Sequence, residues 1–268
     1  SDQRARMLAA KLSLPHMGFV LSRPRLAALM EPVRAGGLCK LVAGPGYGKT
    51  SLIVDRLSSS MGETVYVAVD ERDGDPLHFL TCLMAGLGMR PAEQPDVTPL
   101  DWSTGGGMDV AVLDLAAQVV EFASQKAGET VLIAIDDFHV VDSSPQVVGA
   151  LELVVRGLPP GWTVIVSSRR PVPLRVDKVG LGGRLVELQA RELRLTPKEV
   201  TEWAANNWHV RLQSSEARAL WRLTQGWPAA LVLLGQRLPT SRAAITGADI
   251  AEVIARGADL RAYLEQGI

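Results

Sequence analysis

Cysteine is scarce in this chain of 268 residues: Cys39 and Cys82 are its only two, both in apolar surroundings and without the spacing of a metal-ligand pair. They read as small core residues of a reduced cytosolic protein rather than as a disulfide. Long apolar runs are missing too. No stretch approaches the length of a membrane span, and the N-terminus lacks a signal-peptide apolar region and a small-residue cleavage site, so no membrane partner is expected. An excess of charge of either sign is also absent, with 28 basic against 29 acidic residues. A pI near 6.4 offers no net attraction for nucleic acid or an anionic membrane, so any DNA contact belongs to another part of the protein. What the chain does have is 47% hydrophobic content, enough at this length for one large core and a smaller satellite. Two unequal domains are expected. The chain opens on Ser1 rather than methionine, which suggests a trimmed product.

The most informative segment is Ala43-Gly44-Pro45-Gly46-Tyr47-Gly48-Lys49-Thr50-Ser51, directly after the apolar run 38–42. It reads as a phosphate-binding loop between a buried strand and a helix. In such a loop the glycines let successive backbone N–H groups curl around phosphates, Lys49 reaches the β and γ phosphates, and the Thr50 hydroxyl ligates magnesium. Ala43 stands where the strict pattern opens on glycine, a replacement that the wider pattern tolerates.

A second apolar strand, Val131-Leu132-Ile133-Ala134-Ile135, delivers Asp136 and Asp137 at its carboxyl end. An ATPase needs a metal anchor and a water-orienting base there. Asp136 is the candidate for Mg²⁺ and Asp137 for the attacking water. Asp137 is shorter than the glutamate common at this position, so slow hydrolysis is expected. The run 162–168 ends on Arg169, a candidate sensor of the γ phosphate, whereas Arg170 is expected to face solvent. His139 reads as a packing residue without a proton-transfer role. The acidic stretch 70–76 lacks the twelfth-position glutamate of a calcium hand and reads as a solvated strand-to-helix turn.

Further buried strands are expected at 64–69, 130–135, 162–167 and 184–188, most of them separated by helical patterns. This alternation predicts an open α/β parallel sheet with nucleotide at the carboxyl ends of its strands. A helix is expected over 26–33. Strand patterns stop at Glu192. Thr196-Pro197-Lys198-Glu199 is a helix-start signal, and helices are expected over 200–206, 214–224 and 228–237 in a small all-α domain. Residues 91–109 read as a mobile surface loop, their triple glycine lacking both a preceding strand and a following Gly-Lys-Thr. Helices are expected over 249–255 and 259–266.

Four motifs in order, Gly44-Pro45-Gly46-Tyr47-Gly48-Lys49-Thr50, Ile135-Asp136-Asp137-Phe138-His139, Ser167-Ser168-Arg169 and Gly226-Trp227-Pro228-Ala229-Ala230-Leu231, resemble the signal-transduction ATPases with numerous domains, the STAND class. The closest subset is the MalT-like, large LuxR-type transcriptional regulators. The resemblance implies a P-loop NTPase fold of the ASCE type over about 1–190, a helical lid over 191–238, and a linker with the start of a further domain over 239–268. It implies that Leu21 and Arg23 lie near the adenine, that Arg169 is the strand-tip sensor, and that Pro228 closes over the base. Residues 258–268 look like the lead-in to a winged-helix domain. The implied activity is a switch. ADP holds the sheet and helical domains together, ATP permits self-association, and slow hydrolysis resets the device. Inducer and DNA would act through domains this chain does not carry. The rivals are a non-hydrolysing ADP-binding interaction module and a P-loop kinase. The kinase reading needs an arginine-rich lid segment, and none is apparent. A ring-forming mechanical ATPase needs a trans arginine finger that the sequence does not reveal.

Overall fold

Strands buried on both faces must be apolar along most of their length, which the runs at 130–135 and 162–167 satisfy. The run at 184–188, expected to be buried, instead forms a sheet edge at which only Leu188 is buried. The computed structural model describes residues 2–89, 109–176, 181–236, 249 and 251–252. Its strands are β1 (Gly37–Val42), β2 (Glu63–Ala68), β3 (Val131–Asp136), β4 (Trp162–Ser168) and β5 (Leu185–Gln189). Its α-helices are α1 (Asp2–Leu12), α2 (Pro24–Leu29), α3 (Lys49–Ser58), α4 (Pro76–Gly86), α5 (Val110–Gln125), α6 (Pro145–Gly157), α7 (Ala190–Leu193), α8 (Pro197–Asn207), α9 (Ser214–Thr224) and α10 (Pro228–Gly235). All five expected strands are present within a residue or two of their expected bounds.

The sheet runs in the order β2-β3-β4-β1-β5. The pairs β1–β4, β3–β4 and β2–β3 are parallel. Thus β4, which ends next to Arg169, lies between the strand that leads into the phosphate loop and the strand that carries the two aspartates. Register brings Val42 level with Ser168, and Ala68 level with Asp136. Every residue of β4 is buried, as expected of a central strand covered on both faces.

Two compact units share the chain. The first comprises Ser1–Pro15, Ala27–Val42 and Arg56–Glu187. Its core packs Phe79, Leu83, Val112, Val119, Ile133, Phe138, Leu151 and Val164, all at or near zero exposure. Burial on this scale stabilises by about 1.5–3 kcal/mol for each large apolar side chain, relative to leaving it exposed. The second unit comprises His16–Leu26, Ala43–Asp55 and the chain from Leu188 onward. Around Val200, Ala204, Leu220, Leu231 and Leu234 it builds a separate core, against which Leu21 packs. Trp203 and Trp208 meet edge-on there with ring centroids 5.2 Å apart.

Local chemistry explains the helix boundaries. Asp75 caps α4 through Leu77 N–H, with Pro76 at the first position, and Asp109 caps α5 through Ala111 N–H. Thr196 and Glu199 form the reciprocal capping box of α8, the arrangement that the sequence signal encodes. The expected helix over 26–33 instead divides into α2 and a 3₁₀ turn at Glu31–Val33. Pro32 lacks the N–H that an uninterrupted α-helix requires and sits where a new helical turn starts. The acidic stretch 70–76 also needs correction, because Asp73 is wholly buried rather than solvated. Of the expected loop 91–109, only Asp109 lies among the described residues. Asp249, Ala251 and Glu252 are helical; the remainder of 249–255, together with 258–268, lies outside them.

Candidate functional site

Within the second unit, the phosphate loop turns on two left-handed glycines, Gly46 at φ +73° and Gly48 at φ +76°. A side chain at either position would be strained. At Gly46 a Cβ would also stand 2.4 Å from the Ala229 Cβ, so no other residue fits. Lys49 opens α3 and is buried, with its ammonium donating to Ala43 O at 2.6 Å and Gly44 O at 2.9 Å. Thr50 and Ser51 follow in the first turn of α3, both partly exposed, while Pro45 is exposed and Tyr47 half-buried.

The start of α10 closes directly on this loop. Trp227 precedes α10 and makes no side-chain cap. Gly46 O instead accepts the Ala229 N–H at 3.1 Å, satisfying one of the otherwise orphaned donors of the first helical turn. The Trp227 indole N–H donates to Pro45 O at 3.1 Å, and its ring lies 6.3 Å from that of Tyr47. A Cβ placed on Gly48 would be 3.9 Å from Pro228 Cγ. Two loop carbonyls are therefore held by the residues that flank Pro228. Sequence reasoning quoted Trp227 and Ala229 within a motif but gave them no task. Their partners lie about 180 residues earlier, and no local pattern announces them. Replacing Trp227 with phenylalanine keeps most of the packing and removes the indole donor. It should cost about 0.5–1.5 kcal/mol of unfolding free energy, read by denaturant titration with circular dichroism.

Leu21 and Arg23 belong to the same unit. The Arg23 guanidinium is 6% exposed and fully engaged. It donates to Leu193 O at 2.9 Å, to Arg194 O at 2.7 Å, and to both oxygens of Glu199 at 3.2 and 3.3 Å. Arg25 reinforces the pair at 3.3 Å from Glu199. Burial pushes the Glu199 carboxyl up, but hydrogen bonds from Arg23 and the Thr196 N–H, with the charges of Arg23 and Arg25, bring it below its ordinary value. Closeness of Arg23 to an adenine rests on the resemblance alone. Its side chain braces the helical core.

Within the first unit, β3 ends on Asp136, which is 3% exposed. Its carboxylate accepts from Tyr66 Oη at 3.1 Å and from Ser167 Oγ. Burial, followed by the Asp136 charge, pushes the Tyr66 phenol upward, so it stays a donor. Asp137 sits in the left-handed region at φ 60°, with its N–H directed to Asp136 Oδ1 and Ser167 Oγ, each at 3.1 Å. That turn leaves the Asp137 side chain half exposed, 3.6 Å from His139 Nδ1. Arg169 is exposed at the tip of β4. Arg170 does not simply face solvent: it pairs with Asp142 at 2.6 Å and donates to His139 O at 2.8 Å. Asp142 follows the β3 turn, and only the adjacency of β3 and β4 brings it to Arg170. Tyr66 and Ser167 were likewise missed as supports of Asp136, because cross-strand register determines them.

Taken by itself, the loop of the second unit provides a concave backbone that a Cβ would fill, and its Thr50 hydroxyl is an oxygen donor of the kind Mg²⁺ takes. In the first unit, the Asp136 carboxylate is a donor of the same kind.

No family model matches the chain. Among curated proteins, the HTH-type transcriptional regulator MalT of Yersinia enterocolitica is 26% identical over 240 residues, covering 88% of this chain and 26% of that protein. MalT of Cronobacter sakazakii is 23% identical over 241 residues, with coverages of 85% and 25%. The chain thus spans about a quarter of the length of these curated relatives. Among solved structures, a STAND protein with a tetratricopeptide repeat sensor from Pyrococcus horikoshii matches with a TM-score of 0.52 at 18% identity, over 90% of this chain and 33% of that one. That likeness establishes the shared fold. Among the described residues no helix is long and apolar enough to cross a membrane. The chain is thus similar in sequence to MalT transcriptional regulators over most of its length and shares the fold of a STAND protein.

Proposed function

We propose that this chain is the adenine-nucleotide switch module of a cytoplasmic MalT-like transcriptional regulator. It binds ADP or ATP with Mg²⁺, hydrolyses ATP slowly and self-associates in the ATP state. In this reading residues 1–190 form the nucleotide-binding domain, 191–238 the lid, and 239–268 the link to a further domain. The observation that carries it is the pair of hydrogen bonds from Trp227 and Ala229 to the phosphate-loop carbonyls of Pro45 and Gly46. A ligand shifts a conformational equilibrium only by its differential affinity for the two states. Here any change in loop backbone on binding phosphates is felt directly at the first turn of α10, the helix that begins on Pro228.

In the proposed mechanism, the N–H groups of 44–51 receive the phosphates and Lys49 turns its ammonium from loop carbonyls to phosphate oxygens. Thr50 and Asp136 would hold Mg²⁺, which neutralises phosphate charge when bound. Tyr66 and Ser167 orient Asp136 and keep it from rotating. Asp137, half exposed on its left-handed turn, accepts a hydrogen bond from water and aims it. Arg169 supplies a guanidinium that favours ATP over ADP, while Pro228 and Leu21 give the base an apolar wall. Inducer and DNA are contacted by other parts of the regulator.

Asp137→Asn keeps the size of the side chain and removes its charge. It should leave ADP and ATP affinity within a few fold and lower single-turnover phosphate release by about a hundredfold or more. Unchanged release would remove Asp137 from the reaction and favour an ADP-holding interaction module.

A further inference from the structure

The first unit contains a cluster that the nucleotide reading does not use. Asp73 lies in the 3₁₀ turn Glu71–Gly74 after β2, and His78 and Cys82 lie four residues apart on α4, on one face of the helix. One ligand atom from each, a carboxylate oxygen, an imidazole nitrogen and a thiol sulfur, lies within 4.8 Å of the others. The His78 Nδ1 to Cys82 Sγ distance is 3.3 Å. Asp73 is wholly buried and Cys82 nearly so, whereas His78 is partly exposed. Asp73 Oδ2 accepts from the Asp70 N–H at 2.8 Å and from the Lys11 ammonium. Its Oδ1 is buried with no hydrogen-bond partner among the described residues. A buried carboxylate oxygen left unsatisfied is costly, and this one shares its surroundings with a thiol and an imidazole.

We infer that Asp73, His78 and Cys82 form a three-ligand site for a divalent transition ion of the Zn²⁺ type. An oxygen, a nitrogen and a sulfur donor suit Zn²⁺ or Co²⁺ and do not suit Mg²⁺ or Ca²⁺, which take oxygen alone. Charge balances. Two positive charges on the ion are met by the Asp73 carboxylate and the Cys82 thiolate, while the Lys11 ammonium retains Asp70 Oδ1 at 3.3 Å. On binding, the metal–sulfur bond replaces S–H and the proton passes to solvent. The partly exposed His78 leaves room for water as a fourth ligand. An ion here would tie the turn to α4, while Lys11 of α1 already holds the turn through Asp73. This inference stands apart from the nucleotide site.

The test uses Co²⁺ as probe, added under reducing conditions to the full chain after chelator treatment. One equivalent should produce a thiolate-to-metal charge-transfer band together with visible bands of tetrahedral intensity, and Zn²⁺ should abolish both. Cys39→Ser should keep the band, Cys82→Ser should lose it, and His78→Gln should weaken Co²⁺ binding tenfold or more. No charge-transfer band in the parent chain, or a band that survives in Cys82→Ser, overturns the site. If Cys82→Ser fails to fold, by circular dichroism, His78→Gln decides: affinity equal to that of the parent overturns the proposal.

Discussion

Lys49→Ala should weaken ADP and ATP binding by about a hundredfold, the largest effect on nucleotide affinity expected of a single substitution in this chain. An ammonium donating to phosphate oxygens makes charge-assisted hydrogen bonds worth about 1.5–3 kcal/mol each, and about 1.4 kcal/mol is a factor of ten in affinity. Lys49 is suited to this by its burial and by its position at the start of α3, where its ammonium already bonds to Ala43 O and Gly44 O. The loop thus holds the lysine within reach of its own curved backbone, and phosphate oxygens would exchange with those carbonyls. Alanine removes the charge together with a buried donor to Ala43 O and Gly44 O, so a loss of about 1–3 kcal/mol of stability accompanies the loss of affinity. Isothermal titration with ADP is the decisive measurement, accompanied by a melting curve showing that the variant is folded. A folded Lys49→Ala that binds ADP as tightly as the parent would refute the assignment of the phosphate loop.

Arg23→Ala should have the largest effect on stability, about 3–5 kcal/mol. It removes a guanidinium that satisfies two backbone carbonyls and neutralises Glu199, itself only 7% exposed. What remains is a buried carboxylate with Arg25 and the Thr196 N–H as partners. The loss should appear in denaturant titrations followed by tryptophan fluorescence, because Trp203, Trp208, Trp221 and Trp227 all lie in the helical unit. The same pair predicts acid sensitivity. Glu199 titrates below its ordinary value of 4.5 in the folded chain, so its contribution is fully present above that value. It is lost as pH falls through the lowered folded value. The parent should therefore lose stability steeply below about pH 4.5, and Arg23→Ala, which has already forfeited the pair, should show a shallower acid limb. A variant with parental stability and an unchanged acid limb would mean that the ion pair contributes nothing.

The strands and the phosphate loop were legible because their causes are local. A strand covered on both faces has to be largely apolar, and β3 and β4 announce themselves in that way, whereas β1 also holds Lys40, buried with its ammonium donating to Leu174 O. Gly46 and Gly48 mark backbone that no other residue adopts without strain. Thr196 through Glu199 encode a helix start through hydrogen bonds that span three residues. The break at Pro32 was equally local, but the apolar spacing of 26–33 obscured it.

Other features depend on residues far apart in the chain. Asp73 lies in a stretch whose composition reads as a solvated turn, and it is buried because α1 delivers Lys11 to it. Arg170 finds Asp142 because β3 and β4 are neighbours. Asp136 is steadied by Tyr66 and Ser167 through cross-strand register, and Trp227 reaches Pro45 because α10 begins beside the loop. By itself the sequence determined which segments are strand, helix and phosphate loop, since backbone conformation and burial pattern follow from neighbouring residues. Only the tertiary structure decided which charged and polar groups meet, because a buried ion or donor takes whatever partner the packing brings within about 3 Å, at any separation along the chain.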